Sequence, residues 1–443
     1  MSARGWLFVL LLLLLGGGGV FAWFRFEASA PAVAGPEAIV FGANGGTLEF
    51  DLSDSGTGLR SVEAVLSHAG GDAPLVSETY PGGLMSGALR GEEPETLEVT
   101  LPPDALPRGV SEAFLRLTVR DWSWRDGLRG NETRADIPLR IDRVPPQVSI
   151  ATGLTYVKRG GSGAVRYQIS EETVRDGVEV GDVFFPSYPL GDGRAVVYAV
   201  PIDAPQSPKV RVLAEDQSGN VTRARWPVVV NERRLPEANV TLPASFLDVT
   251  VPELAAAMGI DASDPAAAFQ VINTEVRASN EEQIGELLAE SAPEKHWEGA
   301  FDQLDNSEVT SRFAEKRTYF VSGQPNSKAT HFGYDLASTR AAPVTAAASG
   351  RVIYAGALGI YGNCVLLDHG LGVATLYGHL SRIDVSAGDA VEQGQPLGRS
   401  GATGLAGGDH LHFAVLVGRT YVDPLEWWDA KWVRENLEAQ LTP

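Results

Sequence analysis

From Trp6 to Phe24 the chain carries no charged residue and is almost wholly apolar. In a bilayer such a stretch has one fold open to it, an α-helix that pairs every backbone amide and carbonyl internally. Its length matches a membrane span, and no second run of this kind follows in the 443 residues. The rest of the chain is therefore expected to fold on one side of a membrane. An uncleaved anchor is the favoured reading of residues 1–35. The small-residue stretch "AVAG" at 32–35 leaves the alternative of a signal removed on export. Arg4 precedes the run and Arg25 follows it, so flanking charge does little to set orientation.

A chain this long exceeds one ordinary core and predicts several domains. Lys and Arg number 36 against 56 Asp and Glu, a net charge of −20, which argues against a protein that tracks a nucleic-acid backbone. No nucleic-acid partner is expected. The single cysteine, Cys364 in "GNCVLLDHG", has no partner for an internal disulfide and reads as a small buried residue.

Residues 36–144 and 145–235 read as two immunoglobulin-like β-sandwich domains: short alternating segments such as "TLEFDLSD", "FLRLTVRD" and "VRVLAED" are broken by Gly, Pro, Asn and Asp turns. The two share a motif in which a strand ends in Asp, a Ser follows, a Gly-Asn-x-Thr turn comes next, and a Pro-containing strand closes on Arg-x-Pro. Aligning Asn131 with Asn220 offsets the copies by a length typical of such a sandwich. The Asn-x-Thr triplets read as turn chemistry. Spacing is the default role for these domains, with binding of cell-envelope proteins the other candidate. Residues 236–305 turn rich in Ala, Glu and Leu, and Ala267, Phe269, Val271, Ile272 and Val276 recur at helical spacing. This predicts a helical connector whose apolar face packs on the next domain, as an ordinary docking surface by default, with partial cover of that domain's cleft the alternative. Residues 306–430 follow as a β domain, and 431–443 as a tail.

The chemistry gathers in 306–430. In "GGDHLHFAVLV" His410 and His412 stand one residue apart, so on a strand both point to one face. A metal site and a surface pair on an edge strand both fit that pattern. His331 and Asp335 of "THFGYDLAS" offer a nitrogen and an oxygen ligand at a spacing that is weak evidence alone. His379 closes the apolar strand of "LYGHLS". The remaining histidines read as structural: His369 in a turn or core, His68 and His296 outside the chemistry. "GDAVEQGQPLGRSG" has the look of a biotinyl or lipoyl carrier turn but no lysine at its tip, which excludes that role. "DPLEWWDAKW" reads as aromatic packing, with a glycan groove the alternative.

Together these segments resemble the lysostaphin-type, or LytM-domain, zinc metallopeptidases that cut peptidoglycan peptides. The resemblance covers roughly residues 317–427 and rests on "HFGYD", "APVTAAASGRV", "GNCVLLDHG", "LYGHLS", "GQPLG", "SGATG" and "HLHF". It implies an antiparallel β catalytic domain of the lysostaphin, barrel-sandwich type in a multidomain, mainly β chain. It further implies one Zn2+ per chain held by His331, Asp335 and His412, with His410 and His379 in the catalytic positions. By the same resemblance the substrate is the stem-peptide cross-link of peptidoglycan, and the protein sits anchored in the inner membrane facing the periplasm, or in the periplasm after signal cleavage. Degenerate relatives supply the alternative function, a silent or regulatory protein that binds the wall or activates another hydrolase. Three protein ligands leave a fourth position for water, the mark of a catalytic rather than a structural zinc.

Overall fold

The computed structural model describes residues 3–42, 45–88, 95–103, 110 and 112–442. The chain divides into two compact units, Met1–Pro145 with Glu215–Val221, and Pro146–Ala214 with Thr222–Pro443.

The first unit opens with the helix Ala3–Arg25. Its segment Phe8–Arg25 is long and apolar enough to cross a membrane, and only 6% of it is buried within the protein. A three-stranded and a five-stranded sheet follow, with alternating side chains from both meeting in one core that includes Phe50, Leu52, Val99, Val62, Leu66 and Leu117. The helix runs directly into this sandwich. Arg25 is buried, its Nη2 donating to the Trp122 carbonyl at 2.6 Å and its Nε to that of Leu84 at 3.0 Å. Phe21 and Phe26 meet the Trp124 ring edge-on, and Ala32–Ala34 pairs with Asp51–Ser53 as an edge strand.

The shared motif has a physical basis. Asp121 ends its strand and accepts from the amides of Ser123 (2.9 Å) and Asn131 (2.7 Å) and from the Asn131 side chain (2.8 Å). Asp216 accepts in the same way from Ser218 (2.8 Å) and from the Asn220 backbone and side chain (both 2.9 Å). Each Asn then ties down the segment entering its module: Asn131 donates to the Ser29 carbonyl at 2.9 Å and Asn220 to that of Asp142 at 3.1 Å. The threonine two residues on does likewise, Thr133 to Pro31 and Thr222 to Pro146. The triplet is a clasp for the incoming chain.

Residues 146–235, which apart from Glu215–Val221 belong to the second unit, form two four-stranded sheets and a short parallel pair. The segment expected as a helical connector opens instead with a strand, Glu237–Thr241, which adds in parallel to Glu315–Val321. Helical turns then run from Phe246 to Met258 and from Pro265 to Leu287, and irregular chain leads to Glu308. The strand forms because its alternate residues Ala238 and Val240 are half-buried beside a ready edge. The last domain is an eight-stranded antiparallel sheet. Its strands are, in spatial order, Glu308–Ser311, Tyr334–Ala337, Leu411–Val417, Val373–Leu380, Asn363–Gly370, Gly350–Ala357 and Ala390–Val391, with Thr420–Val422 hairpinned onto Leu411–Val417. Three-stranded sheets flank it. The stretch expected as a tail is helical from Ala430 to Leu441, and Val433, Leu437 and Leu441 are buried. "DPLEWWDAKW" packs: Trp427 is fully buried against Trp297, Phe301 and Trp432, and Trp428 lies on Phe413 and Tyr334.

Residues 146–235 are fastened to this domain by polar contacts at buried positions. Arg233 pairs with Asp423 at 2.7 Å, and the Glu426 carboxylate accepts from the Ser162 amide at 3.1 Å. Burial raises the Glu426 acid from 4.5 to about 7, with Asp423 adding to the rise and the Ser162 amide opposing it. A raised acid favours a fold that holds it neutral, so its contribution is complete below about 4.5 and lost as pH climbs through 7. Thermal unfolding of the second unit is expected to show ~3 kcal/mol less stability at pH 8 than at pH 4.5 from this group. Glu426→Gln should flatten that dependence, and an unchanged pH slope would refute the assignment.

Candidate active site

Three elements bring the site together. His331 ends the strand Gln324–His331, and the chain then crosses into the large sheet, where Asp335 lies directly opposite His412 in register. Gly333, between them, is dictated by space: a Cβ there would meet the His412 ring at 2.6–2.7 Å. On its other side His412 faces Gly378, and His379 closes that strand with φ +63°, a conformation costing about 1 kcal/mol or more for a non-glycine residue. The "SGATG" loop braces the remaining two histidines. The Thr403 carbonyl accepts from His379 Nδ1 at 2.8 Å, and the Gly401 carbonyl accepts from the His410 amide at 2.9 Å.

The structure brings His331, Asp335 and His412, the three residues the resemblance groups as ligands, together. His331 Nε2, Asp335 Oδ1 and His412 Nδ1 lie 2.9–3.0 Å from one another, and all three residues are buried. A carbonyl can only accept, so the 3.0 Å contact between His331 Nδ1 and the Arg312 carbonyl puts the proton on Nδ1 and leaves Nε2 a bare acceptor. Burial pushes Asp335 upward, but its close contacts with His331, His410 and His412 outweigh it and hold the carboxylate well below its usual range. Burial drives His412 down to about 4. Three acceptors thus crowd together with too few protons to satisfy them. A tetrahedral zinc with bonds of about 2.0–2.1 Å would hold its ligand atoms roughly 3.3 Å apart, near the spacing found, so the donor set fits that ion.

The other two histidines flank the cluster. His379 is 4.8 Å from His410 and 5.8 Å from His412, ring centre to ring centre. Burial, then His410 and His412, push His379 down to about 3. It is neutral, with Nδ1 donating to Thr403 and Nε2 unprotonated. A role as charged donor to an oxyanion, expected if it were protonated, therefore requires Nε2 to gain a proton first. His410 gives its Nδ1 proton to the Gly408 carbonyl at 2.8 Å and turns Nε2 toward Asp335 Oδ1 at 3.5 Å. His369 stays apart, fully buried between the Ser349 carbonyl and the Thr375 hydroxyl, both at 2.8 Å. Cys364 is buried with its thiol pushed up to about 12, which leaves it inert.

The site opens into a cleft of about 550 Å³. Leu242, Pro243, Phe246, Val249 and Phe269, from the segment before residue 306, line its apolar side. A fragment beginning near Thr318 would sever the strand Glu315–Val321 and lose Arg317. That arginine escaped the sequence reading. Its Nη2 sits 3.2 Å from Asp335 Oδ2 and its Nε 2.8 Å from Glu315 Oε1. The alternation Glu315, Arg317, Tyr319 along one strand face was the available signal.

Residues 329–424 match Peptidase family M23; this stretch is a domain of that family, of the LytM type. The chain is 37% identical over 119 residues to the peptidoglycan DD-endopeptidase ShyB of Vibrio cholerae, covering 27% of each chain. It is 39% identical over 95 residues to the DD-carboxypeptidase/endopeptidase Mpg of Neisseria meningitidis, covering 21% of this chain and 22% of that one. The match thus spans about a quarter of these curated relatives. The catalytic domain of lysostaphin from Staphylococcus simulans aligns at 31% identity and a TM-score of 0.25, over 29% of this chain and 96% of that one.

Arg317 holds the Asp335 carboxylate from behind, the kind of support whose loss weakens a metal site about 10–100-fold. Arg317→Met is expected to lower zinc affinity by that range while His331, Asp335 and His412 remain. Competition with a chelator measures it, and wild-type affinity in the variant would refute the role.

Proposed function

We propose, on the membership of residues 329–424 in the M23 peptidases, that this protein is a zinc-dependent endopeptidase that hydrolyses the peptide cross-links of bacterial peptidoglycan. The observation that carries the reading is the convergence of His331 Nε2, Asp335 Oδ1 and His412 Nδ1 within about 3 Å of one another. The relatives named as peptidoglycan endopeptidases support the choice of substrate.

Bound there, zinc would lower the pKa of a coordinated water and polarise the scissile carbonyl. The chain's own residues supply the rest. Arg312 and Arg317 hold His331 and Asp335 in their ligand orientations. His410, at the rim of the cluster, takes a proton at Nε2 from the attacking water and later delivers one to the leaving amine. His379 stands beside it with a bare Nε2 and, once that nitrogen carries a proton, donates to the oxygen where negative charge develops. The apolar wall of the cleft excludes water and strengthens these interactions.

The β-sandwich modules, immunoglobulin-like in this reading, act as spacers that carry the peptidase from an inner-membrane anchor toward the wall. Cleavage within residues 32–35 would discard Arg25, the Ser29 and Pro31 carbonyls held by Asn131 and Thr133, and the strand Ala32–Ala34. The anchor is thus built into the first module, which favours retention over removal. The chain in isolated membranes is expected to keep its N-terminal residues and to be digested by protease added to spheroplasts. A mature N-terminus beyond residue 32, or protection until lysis, would refute this placement.

Ligand and proton carrier separate by substitution. His412→Ala removes a ligand, so zinc content and hydrolysis should collapse together, with some loss of stability. His410→Ala leaves the three ligands intact, so zinc should stay near one per chain while turnover falls ~10²–10⁴-fold. Metal analysis and mass spectrometry of muropeptides released from purified sacculi read both effects. Zinc loss in His410→Ala as complete as in His412→Ala would overturn the division of roles.

A further inference from the structure

The first unit carries aromatic and apolar groups outside its core, and they gather where the apolar helix ends. Trp6 and Trp23 both lie on that helix, 64% and 80% exposed, and at 1.5 Å per residue they stand ~26 Å apart along its axis. Tryptophans concentrate at the two water interfaces of a bilayer, whose hydrocarbon core is ~30 Å thick. Trp23 therefore marks the level at which the helix leaves the hydrocarbon.

Parts of the folded module sit at that same level. Trp124 meets two rings that bracket Trp23 in the sequence, Phe21 at 5.8 Å and Phe26 at 5.6 Å between centres. Phe21 lies ~6 Å deeper along the axis than Arg25, and the headgroup layer is itself only ~5–8 Å thick on each side. The module also caps the helix: the Trp124 amide donates to the Arg25 carbonyl at 2.7 Å, and the Trp124 indole donates to the Leu84 carbonyl at 2.6 Å. These bonds bring the turns Gly82–Ser86 and Trp122–Leu128 against the last turn of the helix. Met85 and Leu128 belong to the two turns and are 67% and 46% exposed. Single exposed apolar side chains are ordinary on a protein surface, but these adjoin a helix whose own flank requires lipid. Arg125 and Arg129 are exposed beside them, with Asp126 between, and Arg125 Nε donates to the Phe26 carbonyl at 3.1 Å.

We propose that the turns around Met85 and Trp124 form a bilayer-docking surface, seated in the headgroup layer of the membrane that the helix crosses. Trp124, Met85 and Leu128 enter the interfacial zone, while Arg125 and Arg129 lay their apolar stems beside them and reach lipid phosphates with their guanidinium groups. The proposal rests on the anchor reading above and adds a second membrane contact, made by the folded module itself. The module is then held against the bilayer instead of swinging free below it.

The test uses the full-length chain reconstituted in vesicles of phosphatidylethanolamine and phosphatidylglycerol, with one label at a time placed through Met85→Cys, Leu128→Cys, Leu12→Cys or Phe114→Cys. Cys364 is buried with its thiol pushed up to about 12, so an environment-sensitive maleimide fluorophore attaches at the new site alone. Leu12 is exposed within the helix, and Phe114 is exposed near the start of the strand Glu112–Asp121, ~25 Å from Trp122. Lipids carrying a nitroxide near the headgroup are expected to take most of the emission from the Met85 and Leu128 labels and to leave the Phe114 label unchanged. Iodide in the water should do the reverse. Labels at Met85 and Leu128 quenched by iodide as fully as the one at Phe114 would overturn the proposal. Labels shielded from both quenchers would mean that protein covers the face, a second copy or another chain, and would overturn it equally. The Leu12 label reports on the anchor separately: if lipids with a nitroxide deep in the acyl chains leave it bright, the anchor reading fails. In that case lipid quenching at Met85 and Leu128 still supports the docking surface, and its absence overturns it.

Discussion

Three acceptors that cannot satisfy one another set the terms for this protein. His331, Asp335 and His412 are buried and in mutual contact, and burial without compensation is costly for such groups. The surroundings are arranged to hold them in that state. The Arg312 carbonyl fixes the His331 proton on the far nitrogen, Arg317 pins the outer oxygen of Asp335, and Gly333 lets the chain pass close over the His412 ring. Each of these choices favours a cation at the centre over a proton, because the imidazole nitrogens are left bare and the carboxylate stays ionised.

The site is larger than the stretch that identifies the family. Arg312 and Arg317 lie upstream of residue 329, and so does the helix Arg277–Leu287, whose Asn280 and Glu281 clamp the turn bearing Ile360 and Tyr361. The residues between Val240 and Thr250 close one side of the same cleft. Residues from Val240 to Arg277 therefore supply part of the cleft wall.

A second recurring device governs how the chain is assembled. At each β module an Asp at a strand end gathers a Ser amide and an Asn, and the Asn and a nearby Thr then hold the carbonyls of the entering segment. In the first module the segment so held is the continuation of the apolar helix, with Arg25 inserted among the Leu84 and Trp122 carbonyls. The helix is thus joined to its module by a buried arginine and two aromatic contacts.

Local pattern sufficed for several features. The uncharged run from Trp6 to Phe24, the Gly- and Asn-punctuated strands and the His-x-His pair at a strand start all report on neighbours a few residues apart, and the structure has a helix, β sandwiches and a strand at those places. The grouping of His331, Asp335, His379, His410 and His412 was legible only through the resemblance, since spacing alone left the surface pair open. Other features could not be read because they depend on distant partners. Nothing local marks 237–241 as a strand that pairs with 315–321, since its edge is created by a segment more than seventy residues away. Burial and the charges packed nearby push His379 down and Glu426 up, and neither is visible in the sequence. Arg317 and Arg277 look alike in the sequence, one guanidinium each in an unremarked stretch, and only the fold gives the first two carboxylates and leaves the second facing the cleft. Sequence determined which groups this protein possesses; tertiary structure decided which of them are satisfied, because a side chain's charge and hydrogen bonds are settled by what packs against it.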